Sequence, residues 1–186
     1  MNGSLEHTLA FHCAPALAGI KPSNLICCDL ARYPSLDREL LPLNRQLNPR
    51  GLYFRPVCRC SGRVLLLVYR RALLELHLAH PDARAFLKRA GYPSGGLEAT
   101  LIHFGARLSQ AGSFPHEAGV ILGYPLADVE GFLRDGGKNY KFSGYWKVYG
   151  NEEEARALFV RFNRCREALC RRVAAGKSIV QLFSAA

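Results

Sequence analysis

The stretch "LYFRPVCRCSGRVLLLVYR", Leu52 to Arg70, decides the fold class. Two runs of β-prone residues flank Ser61-Gly62, and a small polar residue followed by glycine suits the tight turn of a hairpin. Upstream, Lys21-Pro22-Ser23 forces an extended chain into "NLICCDL", which reads as a buried strand. Before it, Leu5, Leu9, His12/Cys13 and Leu17 recur every three to four residues, so a helix is expected with Ser4 as cap and Gly19 near its end. Between strand and hairpin, "SLDRELLPLNRQLNPRG" puts Leu36, Leu40, Leu43 and Leu47 on one helical face, with Pro42 expected to bend or shorten the helix.

Downstream of the hairpin the period is helical throughout. "RALLELHLAHPDARAFLKRAGY" breaks at His80-Pro81, restarts with Asp82 in its first turn and stops at Gly91. "GGLEATLIHFGARLSQAG" offers Leu97, Leu101, Phe104 and Leu108 as an apolar face. The last helix opens with Asn151 and Glu154 in near capping-box spacing and buries Ala155, Leu158, Phe159, Phe162, Cys165, Leu169 and Val173. Gly176 ends it, and its outer face carries Arg156, Arg161, Arg164, Arg166, Arg171 and Arg172, a solvated face or a surface for an acidic protein partner.

Composition narrows the class of protein. A chain of 186 residues that is 49% hydrophobic and 22% charged can build one well-buried domain, 1–186, burying about 70% of its unfolded surface. The longest uncharged run, His7 to Ile20, holds two histidines and a proline and falls short of the ~18 apolar residues of a membrane span. "MNGSLEHTLAF" lacks the basic start of a secretory signal, so the expected location is the cytoplasm. The seven cysteines form no C-x-x-C pair, which disfavours zinc and suits free, mostly buried thiols in a reducing compartment. A net charge of +10 would attract phosphate-bearing partners, although it is spread along the chain.

The segment Phe114 to Gly150, "FPHEAGVILGYPLADVEGFLRDGGKNYKFSGYWKVYG", concentrates the chemistry. The spacing of Gly119, Leu122, Gly123, Val129 and Phe132 predicts two short helices about a turn at Gly123, a helix-turn-helix-like pair near 115–134. Asp128 and Glu130 would face phosphate oxygens, which opposes DNA reading by this pair. Beyond Gly136-Gly137, the residues Lys138, Asn139, Tyr140, Lys141, Tyr145, Trp146 and Lys147 interleave cations with rings, a composition that suits stacking on a base with ammonium groups on phosphate. The competing reading is a strand with one buried face.

A thiol enzyme is the alternative. Cys13 would be the nucleophile of a hydrolase or transferase, His116 its base, and Glu117 or Asp128 the carboxylate that orients the base. A buried Cys13 packed in the core is the plainer reading. His77 and His80 share a helical spacing, but Pro81 interrupts the turn and no carboxylate stands at matching spacing, so no metal site is expected. "AAGKS", Ala174 to Ser178, ends a helix instead of opening one and lacks the first glycine of a phosphate loop. No residue pattern names a cofactor.

"HCAPALAGIKPSNL", "VLLLVYR", "FPHEAGVILGYPLADVEGF" and "GKNYKFSGYWKVYG", with the "FNRCREAL" helix, together resemble the bacterial domain-of-unknown-function family DUF3793. Gly119 and the Gly123-Tyr124-Pro125 turn match its pattern, while Ala31 to Gly51 and the C-terminal tail match weakly. The resemblance implies a one-domain intracellular protein and carries no reaction, cofactor or catalytic residue. The expected fold is therefore α+β: helices packed on a mainly antiparallel four-stranded sheet built from 23–29, 52–60, 63–69 and 141–149, with the last helix lying across it. The expected function is a binding module for a phosphate-bearing or aromatic ligand, a nucleotide or nucleic acid.

Overall fold

The computed structural model describes residues 4–110 and 114–184; Ala111 and Gly112, which close the "GGLEATLIHFGARLSQAG" stretch, lie outside them. Strands β1 (Ser23–Asp29), β2 (Leu52–Cys60) and β3 (Arg63–Arg70) form an antiparallel sheet in the order β1-β3-β2. The hairpin turns at Ser61 and Gly62, both with positive φ, 48° and 76°, the two-residue turn whose twist matches that of its strands. Placing β2 at an edge accommodates Pro56, whose missing N–H would break a central ladder. The register shifts between Pro56 and Cys58, so Val57 is the extra residue of a bulge.

Helices cover both faces of the sheet. On one face α1 (Leu5–Leu17) and α2 (Leu36–Leu47) pack Leu9, Cys13, Leu40 and Leu47 against Ile26, Cys28, Phe54, Val64 and Leu66. Ser4 caps α1 by accepting from the His7 N–H at 3.2 Å, as the spacing predicts. Pro42 sits inside α2 without shortening it. The other face is covered by α3 (Arg71–Ala79), α4 (Pro81–Arg89), α5 (Gly96–Ser109), α6 (Ala118–Ile121) and α7 (Leu126–Asp135), which bury Leu74, Phe86, Phe104, Ile121 and Val129 against Leu67 and Tyr69. Central β3 has Val64, Leu66, Leu67, Val68 and Tyr69 all buried because both faces are covered.

Two expectations need correction. The 141–149 segment does not join the sheet: β4 (Phe142–Ser143) and β5 (Lys147–Val148) form a separate two-stranded ribbon. A carboxylate ends the ribbon early. Asp128 of α7 accepts from the backbone N–H groups of Tyr149 and Gly150, both at 2.7 Å, so those donors are spent on a side chain where a longer strand would need them. The long helix α8 (Glu152–Ala174) does not lie across the sheet either. It packs along α1, while Ala155, Phe159 and Phe162 near its start meet Trp146 and Val148 of the ribbon in a small core of their own. Its capping prediction holds, with Asn151 accepting from the Glu154 N–H at 3.2 Å. A short α9 (Ile179–Ser184) follows and inserts Ile179 beside α1 and α2.

Candidate functional site

A cavity of about 500 Å³ opens where α6, α7 and the ribbon meet the β1 edge of the sheet. Its floor is Leu25, Cys27 and Leu65, which share a sheet face because Cys27 and Leu65 are register partners. One wall is aromatic: Tyr124, Phe132, Tyr145 and Trp146. Exposed Phe114 and His116 stand at its rim, and Cys27 is exposed on the floor.

The wall is built by turn chemistry and by a buried charge. As predicted, α6 and α7 meet at Gly123, whose φ of +75° and closeness to Pro22, 2.3 Å from where a Cβ would sit, exclude other residues. Ser23 donates from its hydroxyl to the Ile121 carbonyl at 2.8 Å, and His77 Nε2 donates to the Val120 carbonyl at 2.8 Å, so α6 is tied to the sheet and to α3. Asp128, 3% exposed, accepts from Trp146 Nε1 at 2.7 Å in addition to the two ribbon amides. Trp146 then stacks on Tyr124 at 4.6 Å between centroids and meets Phe159 edge-on at 4.5 Å.

Of the seven residues proposed to bind ligand, Tyr145, Trp146 and Lys147 line the cavity. Lys147 Nζ donates to the Gly137 carbonyl at 2.6 Å and lies 5.0 Å from the Tyr140 ring centroid and 5.7 Å from that of Phe132. Lys138, Asn139, Tyr140 and Lys141 are exposed and outside the lining; Asn139 adopts a left-handed φ of 57°, and Lys141 Nζ donates to the Gly150 carbonyl at 2.7 Å. The Tyr145 hydroxyl donates to Asn163 at 3.0 Å.

The three groups proposed for thiol catalysis are not brought together. Cys13 is fully buried in the core on the α1 face of the sheet, whereas His116 stands at the cavity rim on the opposite face. Burial pushes the Cys13 thiol far above its ordinary range, which keeps it protonated. Glu117, 7% exposed, pairs with Arg107 at 2.8 Å and His116 packs its ring on Phe132, 4.8 Å between centroids. Asp128, the alternative orienting carboxylate, is committed to Trp146 and the ribbon. Among the described residues no three His, Cys, Asp or Glu side chains converge to hold a metal ion, and no helix is long and apolar enough to cross a membrane. On α8, Arg161, Arg164, Arg171 and Arg172 are exposed, but Arg156 pairs with Glu152 and Arg166 lies over the Phe11 ring.

Sequence reasoning missed Cys27, Tyr124, Phe132 and Lys21. A signal existed for the first, since adjacent residues of a strand face opposite ways and Cys27-Cys28 had to place one thiol on each face. None existed for Lys21, which is 5% exposed with its Nζ 4.8 Å from the Tyr124 ring centroid and no carboxylate partner among the described residues.

A three-stranded sheet clad by helices on both faces, with an aromatic cavity at one edge, defines an α+β protein with a small-molecule-sized hollow. The chain belongs to the family of proteins of unknown function DUF3793, whose model matches residues 9–183. No curated protein and no solved structure matches it.

Proposed function

We propose that this one-domain protein is a binding module for a small, flat, anionic ligand, aromatic or phosphate-bearing as a nucleotide is, held in the cavity between α7, the ribbon and β1. The observation that carries the reading is the coincidence of Lys147, Trp146 and Tyr145 with a cavity of about 500 Å³, within the range that small-molecule sites occupy. Its charge balance favours an anion. Lys147 has N–H donors beyond the one spent on Gly137, and the carboxylate in the lining, Asp128, already accepts three hydrogen bonds. Phe132 and Tyr145, both partly buried in the lining, contribute aromatic surface. A long nucleic-acid strand fits less well, because Lys138, Tyr140 and Lys141 lie outside the hollow. A cysteine-dependent hydrolase or transferase centred on Cys13 has no observation in its favour, and an acidic partner for α8 has only the exposed arginines.

Trp146 is the sole tryptophan of the chain and lines the site, so its emission reports occupancy. Titration at low salt with nucleoside phosphates and with aromatic carboxylates or sulfonates should raise the thermal midpoint and shift Trp146 emission. Lys147→Met should weaken that binding about tenfold, the loss of one charge-assisted contact. Saturation without any change in Trp146 emission, or affinity indifferent to Lys147, would count against the cavity.

A further inference from the structure

We infer that Lys21 is a proton-operated regulator of the cavity, its buried amine gripping the face of Tyr124 and thereby setting the Tyr124–Trp146 stack that forms the aromatic wall. The chain of contact is short. Lys21 Nζ lies 4.8 Å from the Tyr124 centroid, Tyr124 stacks on Trp146 at 4.6 Å, and both rings line the hollow. Lys21 occupies the loop between α1 and β1, where its backbone N–H bonds the Pro15 carbonyl at 3.1 Å. It stands where the cores meet, with Cys13 of the α1-side core and Tyr124 of the cavity wall as neighbours.

Among the described residues no carboxylate pairs with it. From α1 comes the Cys13 thiol, with Cys28 of β1 behind it, and from the α6–α7 turn comes Tyr124. Burial lowers the Lys21 pKa to about 7, with Cys13 a smaller, opposing influence. The charged ammonium is attracted to the ring quadrupole and the neutral amine is not, so proton loss releases Tyr124 from one of its holds. A protonated Lys21 also places positive charge behind the wall, which strengthens the hold on an anion. By reciprocity an anion in the cavity raises the Lys21 pKa and draws in a proton. The link to affinity rests on the cavity reading; the titration of the empty protein does not.

The test reads Trp146 emission of the full chain across pH 5.5–8.5 without ligand. The other titratable groups around that ring are Asp128, which accepts from it, Tyr124, which stacks on it, and Cys27, His116, Tyr145 and Lys147, which share the lining. Wild type and His116→Gln should both show a transition centred near pH 7, and Lys21→Met should lose it. A transition that persists in Lys21→Met, or is missing from wild type, overturns the inference. Tyr124→Leu is the second variant: it should abolish the emission change while leaving the pH dependence of stability, because the lysine still titrates. With 8-anilinonaphthalene-1-sulfonate as the anionic aromatic probe, wild type should bind several-fold tighter at pH 6 than at pH 8 and Lys21→Met equally at both. Probe binding indifferent to Lys147→Met sinks the cavity reading and leaves the emission titration standing.

Discussion

The β2–β3 hairpin and the β4–β5 ribbon are both antiparallel pairs, yet they are held by different means. The hairpin has a long register from Leu52↔Arg70 to Cys60↔Arg63, a turn of the right hand and apolar side chains pressed on by helices on both faces. The ribbon has two pairs, Phe142↔Val148 and Ser143↔Lys147, and is placed by Asp128, a side chain from another element. Many weak, redundant contacts specify the first. The second leans on three hydrogen bonds to one carboxylate and on packing against Phe159 and Phe162, so much of the hold on the aromatic wall passes through a residue that could be removed alone.

The strongest way to break that comparison is Asp128→Ala, which strands Trp146 Nε1 and the Tyr149 and Gly150 amides without acceptors. An unpaired donor away from water costs ~1–3 kcal/mol, and with Trp146 Nε1 buried and the two amides partly buried a loss of about 4 kcal/mol is expected in chemical denaturation. Trp146 emission should move to the red in the folded variant as the ring loses its anchor. If Asp128→Ala folds with unchanged emission, the ribbon is held by its packing on Phe159 and Phe162 and the contrast with the hairpin disappears.

Leu66→Ala probes the other side with a somewhat smaller effect. Leu66 is fully buried in the central strand between Ile26 and Pro56, so the cavity left behind should cost about 3 kcal/mol. Because the hairpin is redundantly specified, register and Trp146 emission should both survive. Retained emission with reduced stability marks the two regions as separately specified; a shared change in both would join them.

That difference also explains what could be read from the residues alone. The hairpin, the β1 strand, the helix pair about Gly123 and the caps at Ser4 and Asn151 follow from local rules: turn chemistry, strand and helix periods, and donors that need acceptors. The failure fell where a long-range contact won. Phe142 to Tyr149 carries imperfect alternation and strand-prone rings, which suggested a fourth strand, but Asp128 takes its amides and α8 takes its tryptophan. The site was half legible for the same reason. Cations interleaved with rings drew attention to Tyr145, Trp146 and Lys147, whereas Cys27 reaches the same hollow from a distant strand and Tyr124 from the turn at Gly123, and strand alternation at Cys27-Cys28 does not say which face holds the hollow. Cys13 and His116 are each chemically apt, and a sheet stands between them.

Lys21 gives the smallest effect and the one with a direction in pH. It is a base whose folded-state pKa, about 7, lies below its ordinary value of 10.5, so between these limits the unfolded chain holds a proton that the native protein has released. Stability must therefore rise with pH across that window and be flat in this respect below it, by about 1.4 kcal/mol per pH unit once the amine is mostly neutral. Lys21→Met removes the buried ammonium and with it the slope. The variant should be more stable than wild type at pH 6.5, and its advantage should shrink by about 2 kcal/mol by pH 8.5 as wild type recovers. Denaturant midpoints across that range check the sign. Parallel pH profiles for the two proteins would mean that the lysine keeps its proton in the folded state, and the ammonium would then be a permanent charge behind the cavity wall instead of a switchable one.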